Sequence, residues 1–167
     1  MSPSFEIRFE TNGDAATLSR LSAEAFGPGR FARSAYRVRE GVPPVASLSL
    51  CAALDGKLLG GIRFTAITIG AEGNAALLGP LVVDPADKGK GIGRALVQEG
   101  LTRARAEGFG LVLLVGDMPY YGRFGFQPVP FGQITLPGPV DPARLLALEL
   151  MPGTLSKATG QIKAYIR

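Results

Sequence analysis

Histidine is absent from the chain, and cysteine occurs once, at Cys51. Without histidine there is no Ser-His-Asp triad, no imidazole metal site and no histidine general base. A single cysteine permits no intrachain disulfide. Cys51 stands in an apolar run with no cation nearby, so it reads as a packing residue without a catalytic role. No apolar run is long enough to cross a bilayer, and the opening MSPSFEIRFE lacks the apolar centre of a signal peptide. The expectation is a soluble, cytoplasmic protein. The charge excess is small, 18 Lys and Arg against 14 Asp and Glu for a net +4. That suits an anionic ligand. With no arginine-rich run or aromatic ladder, it does not point to nucleic acid.

The composition is globular, with 46% hydrophobic and 19% charged residues, and 167 residues suffice for one domain, 1–167, with a real core. Phe5 to Glu10 alternates as a half-buried strand does, and Thr11 with Asp14 has the spacing of a capping box. The helix after it is expected to bury Leu18, Leu21 and Ala25. Phe31 to Glu40 reads as a weaker helix, with Arg30, Arg33, Arg37 and Arg39 on a solvated face. Leu48–Leu54 and Leu58–Ile69 read as strands joined by a hairpin at Asp55-Gly56. Ala71 to Asn74 is the next turn.

The centre of the chain is Leu77 to Phe126. Leu77–Val83 reads as a buried strand ended by Asp84-Pro85, because proline lacks the amide a central strand needs. From Ile92 the period becomes helical. Leu96, Val97, Gly100, Leu101 and Ala104 share one face; Arg94, Gln98 and Arg105 share the other. Gly108 is a helix stop, and Leu111–Val115 is a second buried strand. The spacing predicts a right-handed βαβ unit with parallel strands. Asp117, with Pro119 in the first turn, reads as the cap of a short helix carrying Tyr120, Tyr121 and Phe124 and ended by Gly125. After a Pro- and Gly-rich stretch, Leu145–Leu150 and Gln161–Ile166 are plausible strands.

Between that strand and helix lies Lys88-Gly89-Lys90-Gly91-Ile92-Gly93. The first amides of a helix lack intrahelical acceptors, and the macrodipole adds partial positive charge there. Alternate glycines let an anion reach the backbone, and Lys88, Lys90 and Arg94 add full charges. A phosphate or pyrophosphate is the expected ligand. The loop is not a Walker A sequence, which needs GxxxxGK followed by Ser or Thr. Nor is it the dinucleotide fingerprint, whose third glycine falls on Arg94 or Leu96, and this disfavours a dinucleotide-dependent oxidoreductase.

The pattern present is basic-x-x-Gly-x-Gly. With Val82-Val83-Asp-Pro before it and Arg-Ala-Leu after it, the stretch resembles the acyl-CoA signature of the GCN5-related N-acetyltransferase (GNAT) family. Lys88 stands where that family usually has Gln or Arg. Downstream, YYGRFGF resembles the family's Tyr-x-x-x-Gly-Phe motif, with Tyr121, Gly125 and Phe126 in register. The run LVGDMPYYGRFGFQP resembles one bacterial branch of predicted acetyltransferases.

The resemblance implies an α/β fold, a mixed β-sheet with helices on both faces. It implies acetyl-CoA as co-substrate, no metal, and direct transfer to an amine of a small molecule or peptide within a ternary complex. It places Leu81, Val82 and Val83 along the pantetheine arm, and the amides of Lys88 to Arg94, Gly89, Lys90, Gly91, Ile92 and Gly93 included, on the pyrophosphate. A backbone amide near Val82 or Val83 would polarise the thioester carbonyl. Tyr121 would be the general acid, with Tyr120 the packing residue. In that family the Phe31–Glu40 region forms a wall of the acceptor cleft. The general base stays open among Glu24, Glu72, Asp117 and water. The reading implies neither a nucleic-acid nor a membrane partner, and leaves room for a homodimer. A non-catalytic acyl-CoA sensor is the competing reading.

Overall fold

The structure, a computed structural model, describes residues 4–27 and 33–167. β1 (Glu6–Phe9) leads into α1 (Ala15–Phe26) and α2 (Ser34–Arg39). A meander follows, of β2 (Leu50–Leu54), β3 (Lys57–Ile69) and β4 (Glu72–Val83). α3 (Ile92–Ala106) crosses to β5 (Leu111–Val115), and α4 (Met118–Tyr121) is a single turn. The remaining elements are β6 (Gln127–Pro128), β7 (Ile134–Thr135), β8 (Leu145–Glu149), α5 (Thr154–Lys157) and β9 (Gly160–Ala164). The sheet runs β1-β2-β3-β4-β5-β8-β6. Only β4 and β5 are parallel along that path. β9 joins β3 beyond the end of β2, at Ile67–Ile69, and carries β7 on its other edge. This is the mixed sheet expected from the sequence.

Local chemistry sets the element ends. The Thr11 N–H donates to Asp14 Oδ2 at 2.7 Å and the Thr11 hydroxyl at 3.1 Å, so the capping box forms. Arg8 clamps the same carboxylate with two bonds of 2.8 and 2.9 Å. The Arg8 guanidinium and the Thr11 donors hold Asp14 well below the usual carboxylate range, against the opposing effect of burial. Asp55 and Gly56 take φ of 51° and 78°, the two positive values that a tight hairpin between twisted strands requires.

Several expectations are corrected. β4 starts at Glu72, so the chain reverses at Gly70-Ala71 rather than over Ala71–Asn74. Ala25 is exposed, because α1 turns only Leu18 and Leu21 onto the sheet. α2 begins at Ser34; the expected start at Phe31, and Arg30 with it, lie outside the described residues. The tail holds four strands and the turn α5, where sequence suggested two strands. Asp117 takes the cap position of α4, but its side chain pairs with Arg144 at 2.9 Å instead of capping. Among the described residues no helix is long and apolar enough to cross a membrane.

Helices cover both faces of the sheet. Under α3 lie Leu50, Ile62, Phe64, Val112 and Leu114, with Leu96, Val97 and Leu101 of the helix itself. On the opposite face Leu18 and Leu21 of α1 pack on Cys51 and Val82, and Val38 of α2 packs with Ile67, Leu77 and Leu113. Each fully buried large side chain contributes about 1.5–3 kcal/mol. Gly100 shows how close the α3 layer sits: a Cβ there would lie 2.6 Å from Phe64 Cε1. Glycine inside a helix costs about 1 kcal/mol relative to alanine, and the Phe64 ring filling the vacant volume accounts for its use.

Two outcomes follow from this packing. Gly100→Ala lowers the urea midpoint by an amount equivalent to about 1–2 kcal/mol despite its better helix propensity. Adding Phe64→Leu makes the alanine less costly than it is alone; additive effects would show that the ring is not the obstacle. Asp14→Asn costs about 1–2 kcal/mol at neutral pH. Because the Asp14 pKa is depressed in the fold, its stabilisation is full above the unfolded value near 4 and fades as pH falls below it. The gap between wild type and variant in urea unfolding therefore narrows below about pH 4.

Candidate active site

β4 and β5 are paired only over Ala75–Leu77 and Leu111–Leu113. Beyond that point Leu114 and Val115 pair with β8, and Leu78 and Leu81–Val83 pair with β3. The facing edges of β4 and β5 thus diverge with their backbone groups unpaired. The divergence starts at a bulge: two steps on β3, from Phe64 to Ile62, oppose three on β4, from Leu78 to Leu81. Gly79, at φ 140°, takes a conformation open to glycine, and Pro80 has no N–H to offer a neighbouring strand.

At the mouth of the gap the chain turns into α3. Asp84 Oδ1 accepts from the Ala86 N–H at 3.0 Å and closes the turn after β4. Gly89 and Gly91 have φ of 82° and 80°, and a Cβ on either would meet nothing within 4 Å. Gly91 is the N-cap of α3 and no side chain caps the helix. The amides of Ile92, Gly93 and Arg94 therefore lack intrahelical acceptors.

The cations around the loop divide. Lys90 Nζ sits 2.9 Å from Asp87 Oδ1, and Lys57 Nζ lies 3.6 Å from Oδ2. Lys90 then braces the turn, and its hydrogen bond holds the Asp87 pKa down. Lys88 and Arg94 are exposed and form no ion pair with another described residue.

Inside the gap is a cleft of about 610 Å³, lined on the sheet side by Leu81, Val82 and Gly79 and on the helix side by residues of α1 and α2. Tyr121 lines its wall. The Tyr121 ring lies against Gly116, where a Cβ would be 2.5 Å from the ring, and edge-on to Phe126 at 5.9 Å. Burial pushes the phenol up to about 12, so it keeps its proton at neutral pH. Tyr120, expected to be the packing residue, sets its ring edge-on to Tyr121 at 4.9 Å, and its hydroxyl lies 2.8 Å from the Cβ position of Gly93, on the first turn of α3. Tyr121 is the one that packs against the apolar core. The structure thus brings Leu81, Val82 and Tyr121 onto one cleft. Val83 lies beside the loop, 3.6 Å from the same Gly93 position.

Of the three carboxylates considered as bases, only Asp117 lines the cleft. Glu24 pairs with Arg20 on the outside of α1, and Glu72 is exposed at the far end of β4. Glu40 lines the cleft and was not singled out from sequence. Cys51 is buried, its thiol pushed up to about 12 by desolvation and by Asp14, whose Oδ2 lies 3.8 Å away. It is inert as a nucleophile. Arg39 and Arg63 also line the cleft. Sequence put Arg39 on a solvated face, because a helix of six residues is too short to show which side is apolar.

These features can be set beside known proteins. The model of the acetyltransferase (GNAT) family matches residues 16–126. The chain is 32% identical over 127 residues to the uncharacterised N-acetyltransferase YjhQ of Escherichia coli strain K12, covering 74% of this chain and 70% of that protein. It is 32% identical over 123 residues to YhbS of the same strain, likewise an uncharacterised N-acetyltransferase, covering 72% of each. The crystal structure of E. coli YhbS in complex with CoA superposes with a TM-score of 0.81, at 26% identity over 99% of this chain and 93% of that one. A GNAT-family acetyltransferase from Brucella melitensis in complex with acetyl-CoA gives 0.69 at 31% identity, over 97% and 96%. Fold, loop and cleft agree with these matches: the chain belongs to the GNAT acetyltransferase family.

Proposed function

We propose that this single-domain protein moves an acetyl group from acetyl-CoA directly to the amine of a small molecule or peptide, with both substrates held together. The observation that carries the reading is the unpaired edge of β4, facing a cleft that has the uncapped start of α3 at its mouth and Tyr121 in its wall. The CoA and acetyl-CoA complexes of the similar proteins support it. The residues present fit such a ligand. A strand edge with free donors and acceptors takes an amide-bearing arm as an added strand. Helix amides flanked by glycines without side-chain obstruction take a pyrophosphate.

In this reading the backbone of Leu81, Val82 and Val83 orients the pantetheine arm, and the amides of Gly89 to Arg94 hold the pyrophosphate. Lys88 and Arg94 add screened positive charge near the same place. Lys90 acts indirectly, by fixing the turn through Asp87. A backbone N–H near Val82 or Val83 donates to the thioester oxygen as negative charge grows there. Acetyl-CoA supplies the acetyl group and a thiolate leaving group. Tyr121 holds the proton that the thiolate needs. The acceptor nitrogen must arrive neutral, since an ammonium has no lone pair to attack with, and the proton it sheds on becoming an amide replaces the one that Tyr121 gives to the sulfur.

Two measurements test this. Gly91→Glu adds a side chain at positive φ and a negative charge at the loop; calorimetry is expected to give acetyl-CoA affinity reduced at least about tenfold. Unchanged affinity would remove the loop from the site. Tyr121→Phe is expected to slow amine-dependent thiol release by on the order of 100-fold while acetyl-CoA still binds. Because the Tyr121 pKa is raised, the acid form persists up to its folded value. Wild-type activity therefore shows no alkaline fall from this residue between about pH 7 and about pH 10. Binding without thiol release for every amine would instead favour a sensor.

A further inference from the structure

The lining of the cleft carries an electrostatic imbalance. Four arginines line it, Arg33, Arg39, Arg63 and Arg144, against two carboxylates among the described residues, Glu40 and Asp117. Three of the four arginines are accounted for. Arg144 pairs with Asp117 at 2.9 Å. Arg63 donates from Nε and Nη2 to the two oxygens of Glu10 at 2.8 and 2.7 Å. Arg33 is exposed and lies over the Phe26 ring at 5.3 Å.

Arg39 differs. Its guanidinium stands 6.0 Å from the Tyr36 ring centroid, and its Nη1 lies 2.9 Å from where a Cβ of Gly79 would be, at the bulge where β4 leaves β5. No carboxylate of the described residues pairs with it. Desolvation, with Arg63 adding repulsion, pulls its pKa down to about 10, which still leaves it charged at neutral pH. A guanidinium desolvated without a carboxylate beside it is costly, and the Tyr36 ring offsets only part of that cost. Its planar fork of donors matches the two oxygens of a carboxylate. Of the two adjacent guanidiniums only the partly buried one of Arg39 stands without a carboxylate, since Arg63 is already neutralised by Glu10. A singly charged carboxylate therefore fits better than a doubly charged phosphate.

Resting on the acetyl-transfer reading above, we propose that the acceptor is an amine that also bears a carboxylate, and that Arg39 is the residue that selects it. Gly79 lies three residues before Val82 on β4, and the acceptors that carry a carboxylate near the amine are an amino acid or an acidic residue near a peptide N-terminus.

The test uses the full chain, acetyl-CoA and a panel of matched acceptors: free amino acids with their carboxamides, and dipeptides with an acidic or an amide second residue. Thiol release is expected to favour the acid of a matched pair by about 10- to 100-fold in kcat/KM. The free acids and the dipeptides separate the two sources of the carboxylate. In Arg39→Met the acid-to-amide ratio falls to near one, with the loss in acceptor KM, and Arg39→Lys restores part of it.

Amides used as well as acids, or a ratio that survives in Arg39→Met, would overturn the proposal. So would a fall in kcat equal for acid and amide, which would place Arg39 on the thioester instead. Should no acceptor turn over, calorimetry of N-acetyl amino acids and their amides on the CoA-loaded protein decides. Preference for the acids that Arg39→Met abolishes supports the proposal, and no preference sinks it. Failure to bind acetyl-CoA at all would be recognised separately, as a failure of the acetyl-transfer reading.

Discussion

The arrangement depends on a failure of pairing. A parallel pair ordinarily continues as far as both strands extend, because each unmade backbone hydrogen bond away from water is costly. Here β4 and β5 stop after three residue pairs. The bulge at Gly79-Pro80 tilts the end of β4 away, and β8 occupies the other edge of β5 as far as Val115. Each strand keeps one satisfied edge, so the sheet remains intact while the other two edges open a slot. The glycine loop, the cleft and Tyr121 all border that slot.

Charge is distributed around the slot according to how well it is neutralised. Outside it, Arg8 with Asp14, and Lys90 with Asp87, brace turns that start or feed helices. These pairs work locally, by replacing backbone or carboxylate solvation with defined hydrogen bonds. Inside it the bidentate Arg63–Glu10 pair is complete, and Arg39 beside it is not. The carboxylate of Asp117, with Arg144 at the exposed end of the cleft, is too solvated to supply more than a weak field.

The parts of the fold legible in the sequence are those written in local periods. α3 shows its buried face as Leu96, Val97, Gly100, Leu101 and Ala104, all of which the structure buries, and its loop shows as alternating glycines and cations. The Asp55-Gly56 hairpin and the Thr11–Asp14 box are likewise local. The rest depends on partners distant in the chain. Nothing in Gln161–Ile166 indicates that this strand lies against Ile67–Ile69. The side chain of Asp117 finds Arg144 rather than the helix end, 27 residues away in sequence. Arg39 looks solvated until α2 is seen against the sheet. Tyr121 joins the apolar core as well as the cleft wall, which a helix of a single turn is too short to show in its pattern.

β3 is the longest strand, and three neighbours share its two edges: β4 along one, then β2 and β9 end to end along the other. The last of these arrives nearly a hundred residues after β3 itself. During synthesis the central strand therefore waits, with Ile67 and Ile69 half paired, until the chain has been made through Ala164. Closing so long a loop is slow, and an unpaired edge of this kind invites wrong partners in the interval. The glycine loop and its helix belong to a segment that is complete earlier, so the turn into α3 can form before the sheet is finished.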